Sequence, residues 1–377
     1  MIRIGVSVIC LLSLCIVSAQ ELTIKGTLRG FDEGAQVVLR DLESMEVVGT
    51  TELLNNEFSL SRFEKIDFPR TIHLSIGGET ERRSDVFLFV ENGENIAIHS
   101  QFENFEDNLR VENSKYYAVQ QDFNSLTKEL SDKRNELMQE YMQKYYGKPV
   151  DESVSESVSE SYWGKDGSIG KIDSEVDNIN KAYLLENANN YFSLSYIVRS
   201  FTRIEKPVLS EMYEKLDENL RVSKYGVFLK TYIDSRQMEE GMEYADFNFE
   251  NKNDEKQKLS NYFDGRYLLV DFSTLYCGAS QMSRPGLEKL SNMNKEKINV
   301  LTYYIDQDEE GFRNYIVDGV DNWNIIRNSD GRMNDALAQY IISGTPTYFL
   351  FNPEGVLIKK WSGYGEGTVD EIEGLIK

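Results

Sequence analysis

Apolar and polar residues change rhythm twice along this chain. Between residues 21 and 112 the apolar positions alternate in short runs, at Leu22, Ile24 and Leu28, at Val37 and Leu39, at Ile72, Leu74 and Ile76, and at Ile96 and Ile98. Gly30, Gly34, Gly77-Gly78 and Asn92-Gly93 punctuate them. A period of two bounded by turn residues belongs to half-buried strands, which predicts an all-β sandwich or barrel, antiparallel in its pairing, over residues 20–112. The two histidines of the chain, His73 and His99, fall out of phase with the apolar positions and therefore on polar strand faces.

From residue 115 to residue 146 the spacing becomes three and four. Tyr116, Val119, Phe123, Leu126, Leu130, Leu137, Tyr141 and Tyr145 form the stripe of one long amphipathic helix, stopped by Gly147 and Pro149. The stripe predicts packing against helices of the same chain rather than a coiled-coil dimer. Residues 153–160 read Ser-Val-Ser-Glu twice without apolar periodicity, which predicts a mobile surface loop over residues 148–170. Helical spacing resumes at Ile172, Val176, Ile179 and Tyr183 and continues to residue 233, making residues 113–243 a helical middle region. Beyond residue 244, apolar strand runs at 268–272, 298–305, 348–351 and 356–361 alternate with helical segments. Such alternation builds a mixed α/β sheet with helices on both faces.

Length and ends refine this picture. A chain of 377 residues exceeds one ordinary domain. Arg3, the apolar run at residues 4–17 and the ending Val17-Ser18-Ala19 predict a signal peptide over residues 1–19, with export to the periplasm or cell envelope. The run falls short of the ~20 apolar residues of a membrane span, and no second candidate follows. Ile9 and Leu14 precede Cys10 and Cys15 where a lipid-attachment signal requires a small residue. Removal of the leader leaves Cys277 as the single cysteine, so no internal disulfide can form. A net charge of −22 argues against nucleic acid and anionic lipid as partners.

The chemistry concentrates in residues 268–280, read L-L-V-D-F-S-T-L-Y-C-G-A-S. A buried strand runs into Cys277, which then opens a helix, where free N–H groups and the dipole favour its thiolate. Asp271, within the apolar run, is expected to lie buried beneath the thiol and to move protons. Pro285 is expected to bend the helix. Thr345-Pro346, opening a later apolar run, suits a cis peptide.

Asp271, Cys277, Pro285 and Thr345-Pro346, in this order and spacing, resemble the thioredoxin fold of the TlpA-like and AhpC/TSA-like thiol–disulfide proteins. The resemblance covers residues 245–377, with Asp246-Phe247 similar to the family's entry motif and residues 351–355 similar to its late hairpin turn. The strand-rich start resembles the β domain of unknown function that often precedes such domains. The resemblance implies an α/β thioredoxin-like domain over residues 244–377 that uses no cofactor and no metal. Where the family has W-C-x-x-C, this chain has Tyr276-Cys277-Gly278-Ala279-Ser280, and a serine cannot resolve a mixed disulfide.

What the resemblance implies is therefore a monothiol oxidoreductase or isomerase. Cys277 would be the nucleophile, Ser280 would hydrogen-bond its thiolate and Asp271 would assist proton transfer. Thr345 would offer its backbone to the substrate, Tyr276 would form the lip of the substrate surface, and Pro346 would keep metals off the sulfur. The partners implied are a protein or small-molecule thiol or disulfide substrate and an external reductant thiol. Two further readings stand beside it: a non-catalytic binding or scaffold module with a vestigial cysteine, and a peroxiredoxin-like peroxidase suggested by Thr274-x-x-Cys277, although Val270 occupies its proline position. One cysteine and two histidines are too few for a zinc site, and no glycine-rich phosphate loop precedes a helix.

Overall fold

The computed structural model describes residues 21–61, 68–77, 83–145, 152–315, 323–328, 331, 334–365 and 367–376. The expected leader at residues 1–19 lies outside them. The N-terminal alternation forms β1 (Thr23–Arg29), β2 (Gln36–Asp41), β3 (Val47–Glu52), β4 (Glu57–Ser61), β5 (Arg70–Ile76), β6 (Ser84–Val90), β7 (Asn95–Gln101) and β8 (Arg110–Glu112). They make two four-stranded sheets, ordered β4-β1-β7-β8 and β3-β2-β5-β6. Ile24, Leu60 and Ile98 of the first share one core with Leu39, Leu74 and Leu88 of the second, as inward residues of a sandwich do. One pairing departs from the antiparallel expectation. β1 and β7 run parallel, with Ile24 opposite Ile96, because the chain visits the second sheet between them. His73 stacks on Phe87 at 4.6 Å and bonds Asp85 at 2.7 Å, while His99 is exposed.

The middle region contains α1 (Phe105–Asn108, just before β8), α2 (Tyr117–Ser125), α3 (Lys128–Tyr145), α4 (Glu152–Trp163), α5 (Ser168–Glu186), α6 (Tyr191–Arg199), α7 (Lys206–Glu214), α8 (Glu218–Arg221) and α9 (Lys224–Asp234). The single helix expected over residues 115–146 is broken. Leu126 N–H turns back to Phe123 O at 3.2 Å, and buried Thr127 opens α3 by accepting from Ser131 N–H at 2.8 Å. Phe123 is buried among Tyr183, Phe192 and Tyr196 whereas Leu126 is exposed, so the stripe read as continuous changes partner here. The expectation of a loop over residues 148–170 is also corrected, since α4 and the start of α5 occupy most of it and residues 146–151 lie outside the described set. Tyr162 gives the physical reason. It is buried against Tyr141 of α3 at 5.4 Å, which anchors a Ser/Glu-rich segment of weak helical propensity.

The last part holds β9 (Asn248–Asn251), β10 (Lys256–Lys258), β11 (Tyr267–Ser273), β12 (Ile298–Tyr304), β13 (Trp323–Arg327), β14 (Thr347–Phe351) and β15 (Leu357–Ser362) in one seven-stranded sheet ordered β10-β9-β13-β12-β11-β14-β15. β11, β12 and β13 are parallel, and β14 and β15 return antiparallel. Its helices are α10 (Gly278–Met293), α11 (Glu309–Tyr315), α12 (Asp335–Tyr340) and α13 (Thr368–Leu375). Leu287, Leu290 and Ile372 pack on the sheet face carrying Leu269, Val300 and Leu350. Leu268, Val270 and Phe272 point the other way, toward α12 and the helices α6–α9. This is the mixed, doubly covered sheet of a thioredoxin-like fold, and its period of two sends Asp271 to the same face as Leu269, beneath α10.

The three parts are welded. Phe89 of the sandwich, Phe192 and Phe228 of the helices, and Phe349 of the sheet belong to one apolar cluster. Tyr225 donates to Pro69 O at 3.0 Å, and Arg199 donates to Glu43 at 2.9 Å and to Thr71 at 2.8 Å.

Candidate active site

Strand β11 delivers the site. It is buried along its length, and the chain turns at residues 274–276 before α10 begins, with Cys277 as the N-cap residue in extended conformation. Gln281 fastens that turn by donating from Nε2 to Thr274 O and Leu275 O, each at 3.2 Å. Cys277 is half-buried, and its Sγ donates to Thr345 O at 3.2 Å across the site. The Thr345-Pro346 peptide is cis, as its sequence setting predicts. Cys277 and Thr345, sixty-eight residues apart, thus come together, and Pro346 follows Thr345 in the chain.

The sulfur's surroundings favour its ionised form. Burial acts to raise the thiol's pKa, but the Ser280 N–H, Thr345, the Ser280 hydroxyl and the Ala279 N–H outweigh it and bring the thiol below its usual value. Ser280 is fully buried, and its hydroxyl has no hydrogen-bond partner among the described residues. Ionisation at Cys277 supplies the acceptor that this hydroxyl lacks, and an unpaired buried hydroxyl costs roughly 1–3 kcal/mol.

Asp271 lies wholly buried on the α10 side of β11. Ser273 donates to its Oδ1 at 2.6 Å and Thr302 to its Oδ2 at 2.9 Å, while Trp323 Nε1 donates to the Thr302 hydroxyl at 3.0 Å. Burial pushes the carboxyl up to about 6, against the pull of those two hydroxyls and Arg284. Pro285 sits inside α10, where it removes one helical N–H donor.

Tyr276, next to Cys277 in the chain, is 54 % exposed. Its hydroxyl donates to Asp308 Oδ2 at 2.9 Å, and Tyr304 donates to Asp308 Oδ1 at 2.7 Å. Burial and Asp308 together push the Tyr276 phenol up to about 12. Gly311 N–H caps the same carboxylate at 2.7 Å, and a Cβ on Gly311 would lie 1.9 Å from it. Thr274 donates to Asp306 and accepts from Tyr276 N–H. Sequence reading missed this rim of Asp306, Asp308 and Tyr304. A signal for it exists, because both carboxylates follow β12, the parallel neighbour of β11, and adjacent parallel strands bring their C-terminal ends to one edge. Among the described residues no group of three or more His, Cys, Asp and Glu is arranged to hold a metal.

No family model matches the chain. It is 21% identical over 155 residues to the thiol-disulfide oxidoreductase ResA of Bacillus subtilis, an alignment covering 41% of this chain and 84% of that one. Among solved structures, the thioredoxin domain of a thiol-disulfide oxidoreductase from Bacteroides vulgatus is 24% identical with a TM-score of 0.34, covering 37% of this chain and all of that domain (100%). A putative thiol:disulfide interchange protein DsbE from Chlorobium tepidum is 19% identical with a TM-score of 0.33, covering 37% and 95%. An exposed lipoprotein thioredoxin from Streptococcus pneumoniae is 23% identical with a TM-score of 0.28, covering 34% and 99%.

Proposed function

Since the C-terminal part of this chain is a thioredoxin-fold domain and its relatives are thiol-disulfide oxidoreductases, we propose that it exchanges thiols and disulfides through Cys277 alone. The observation that carries this reading is the Cys277 sulfur itself, seated at the start of α10 with a lowered pKa and bonded to Thr345 O at 3.2 Å. The Cys277 thiolate attacks one sulfur of a substrate disulfide. A new S–S bond forms to the enzyme, the substrate S–S bond breaks, and its second sulfur leaves as a thiolate that takes a proton. Asp271, buried on the α10 side with a pKa of about 6, is the group suited to relay that proton.

Ser280 cannot supply the second thiolate, so release comes from an external low-molecular-weight thiol or from a thiol of the substrate. That thiol attacks the substrate sulfur of the mixed disulfide, and Cys277 departs as thiolate. Thr345, whose carbonyl accepts from the sulfur, and Pro346 after it would meet the substrate chain, and exposed Tyr276 would be the rim against which it rests. The peroxidase reading is not favoured, since the Thr274 hydroxyl is held by Asp306 rather than turned to a ligand at the sulfur. The leader-like residues 1–19 support action outside the cytoplasm, in the periplasm or cell envelope. The division into a β domain at 20–112, a helical region at 113–243 and a catalytic domain at 244–377 belongs to the same proposal.

Oxidised glutathione tests the chemistry. Incubation followed by mass spectrometry is expected to show one glutathione on Cys277, removed by a small excess of glutathione thiol and absent in Cys277→Ser. A native protein that never takes up glutathione, while the unfolded chain does, would leave the thioredoxin fold as a binding module.

A further inference from the structure

A cleft of about 530 Å³ begins at Thr345 and runs between all three parts of the molecule. This falls within the ~300–1,000 Å³ of ligand-binding clefts. Its walls are apolar side chains from separate regions: Leu42 and Met45 from the β2–β3 loop, Val198 and Phe201 from the end of α6 and its following turn, Phe228 from α9, and Ile342 from the segment before the cis-proline. Ser343 and Gly344, both exposed, line it next to Thr345. Outside helix and strand, these two residues make no backbone N–H hydrogen bond among the described residues.

The β sandwich is fixed over this cleft rather than loosely tethered. Arg199 on the wall bonds Glu43 at 2.9 Å and Thr71 at 2.8 Å, and Arg40 donates to Met45 O at 2.5 Å, which sets the loop. The two charged residues lining the cleft, Glu43 and Arg199, neutralise one another and leave apolar surface to decide what binds.

We infer that this cleft is the specificity site for the thiol exchange proposed above, and that its occupant is an extended peptide segment carrying bulky apolar side chains next to the reacting cysteine. Open backbone donors at residues 343–344 suit a peptide backbone, and the apolar walls suit the side chains that alternate from it. Continuity fixes the occupant, because the cleft ends at Thr345, whose carbonyl is 3.2 Å from the Cys277 sulfur. A substrate chain bonded to that sulfur has the cleft beside it. The β sandwich thereby acquires a role, since its β2–β3 loop supplies one wall.

The inference rests on the thiol-exchange reading, and one experiment keeps the two apart. Full-length protein is mixed with two cysteine hexapeptides activated as 2-pyridyl disulfides, one with leucine and phenylalanine flanking the cysteine and one with serine and asparagine. Attack by the Cys277 thiolate forms the enzyme–peptide disulfide and expels pyridine-2-thione, which is read by absorbance. Each rate is divided by the same protein's rate with 2,2′-dithiodipyridine, a probe too small to need the cleft. The apolar peptide is expected to react at least about tenfold faster than the polar one by this ratio, and Leu42→Glu with Met45→Glu to bring the preference close to unity. Both residues are only half-buried, and circular dichroism together with the small-probe rate verifies the fold. Ser343→Trp, which narrows the cleft from an exposed position on the other side, should produce the same loss. Equal ratios for the two peptides, or a preference that survives both variants, overturns the cleft assignment. Failure of Cys277 to react with dithiodipyridine at all would instead overturn the exchange chemistry.

Discussion

Replacing Asp271 by asparagine isolates the electrostatic cost of a carboxyl buried in β11. In the folded protein burial raises this carboxyl from an ordinary 3.8 to about 6. At about 1.4 kcal/mol per pH unit, the ionised form costs the fold about 3 kcal/mol. The sign follows from proton uptake. Between the two values the folded state holds more protons than the unfolded state, so stability falls as pH rises, and the penalty is absent below 3.8 and complete above about 6. Asp271 is fully buried, so solvent does not screen this cost away. Asparagine keeps one acceptor for Ser273 but turns an NH₂ group toward Thr302, a mismatch of about 1 kcal/mol present at every pH. Asp271→Asn should therefore be about 1 kcal/mol less stable than the natural protein near pH 4 and about 2 kcal/mol more stable at pH 8. Urea unfolding followed by tryptophan fluorescence measures it, because Trp323 is buried within hydrogen-bonding distance of Thr302. A stability difference that does not change between pH 4 and pH 8 would refute the reasoning, since the carboxyl would then not be desolvated.

Two substitutions at one position separate the roles given to Ser280. Ser280→Ala removes the hydroxyl that awaits the thiolate and should raise the alkylation midpoint of Cys277 by about one pH unit, as loss of a hydrogen bond to a charged group implies; an unchanged midpoint would mean the hydroxyl does not reach the sulfur. Ser280→Cys places a second sulfur about 4.5 Å along the helix axis from the first residue, within the range that a disulfide spans, and should form an internal disulfide in mild oxidant and catalyse insulin reduction by dithiothreitol. A folded Ser280→Cys protein that stays a dithiol under those conditions would show that the site has lost working geometry, not only a cysteine.

Much of this architecture is written in local pattern. The positions Ile24, Leu39, Leu74 and Ile98 alternate because each strand has one dry face, and all four lie in the sandwich core. Residues 268–272 read as a doubly covered strand and are one, and the Cys277 sulfur bonds the carbonyl of Thr345. What escaped depends on contacts remote in sequence. The break at residues 126–127 and the helix at 152–163 are decided by Phe123 and Tyr162 finding aromatic partners, which periodicity cannot report. The rim of Asp306 and Asp308 needs the β11–β12 pairing to be known, and the cleft needs the β2–β3 loop brought to residues 342–345, almost three hundred positions away. Charge alone could not single out these carboxylates among 63 acidic residues.

The central claim is that Cys277 is an activated thiol and not an inert one, and its ionisation is the direct measure. Iodoacetamide alkylation of the native protein, followed by mass spectrometry from pH 5 to pH 10, gives the thiolate midpoint at this cysteine. The account predicts a midpoint clearly below the ~8.5 of a free cysteine, rising toward that value when the protein is unfolded in urea. A midpoint at or above ~8.5 in the native protein, or no alkylation until the chain unfolds, would contradict it.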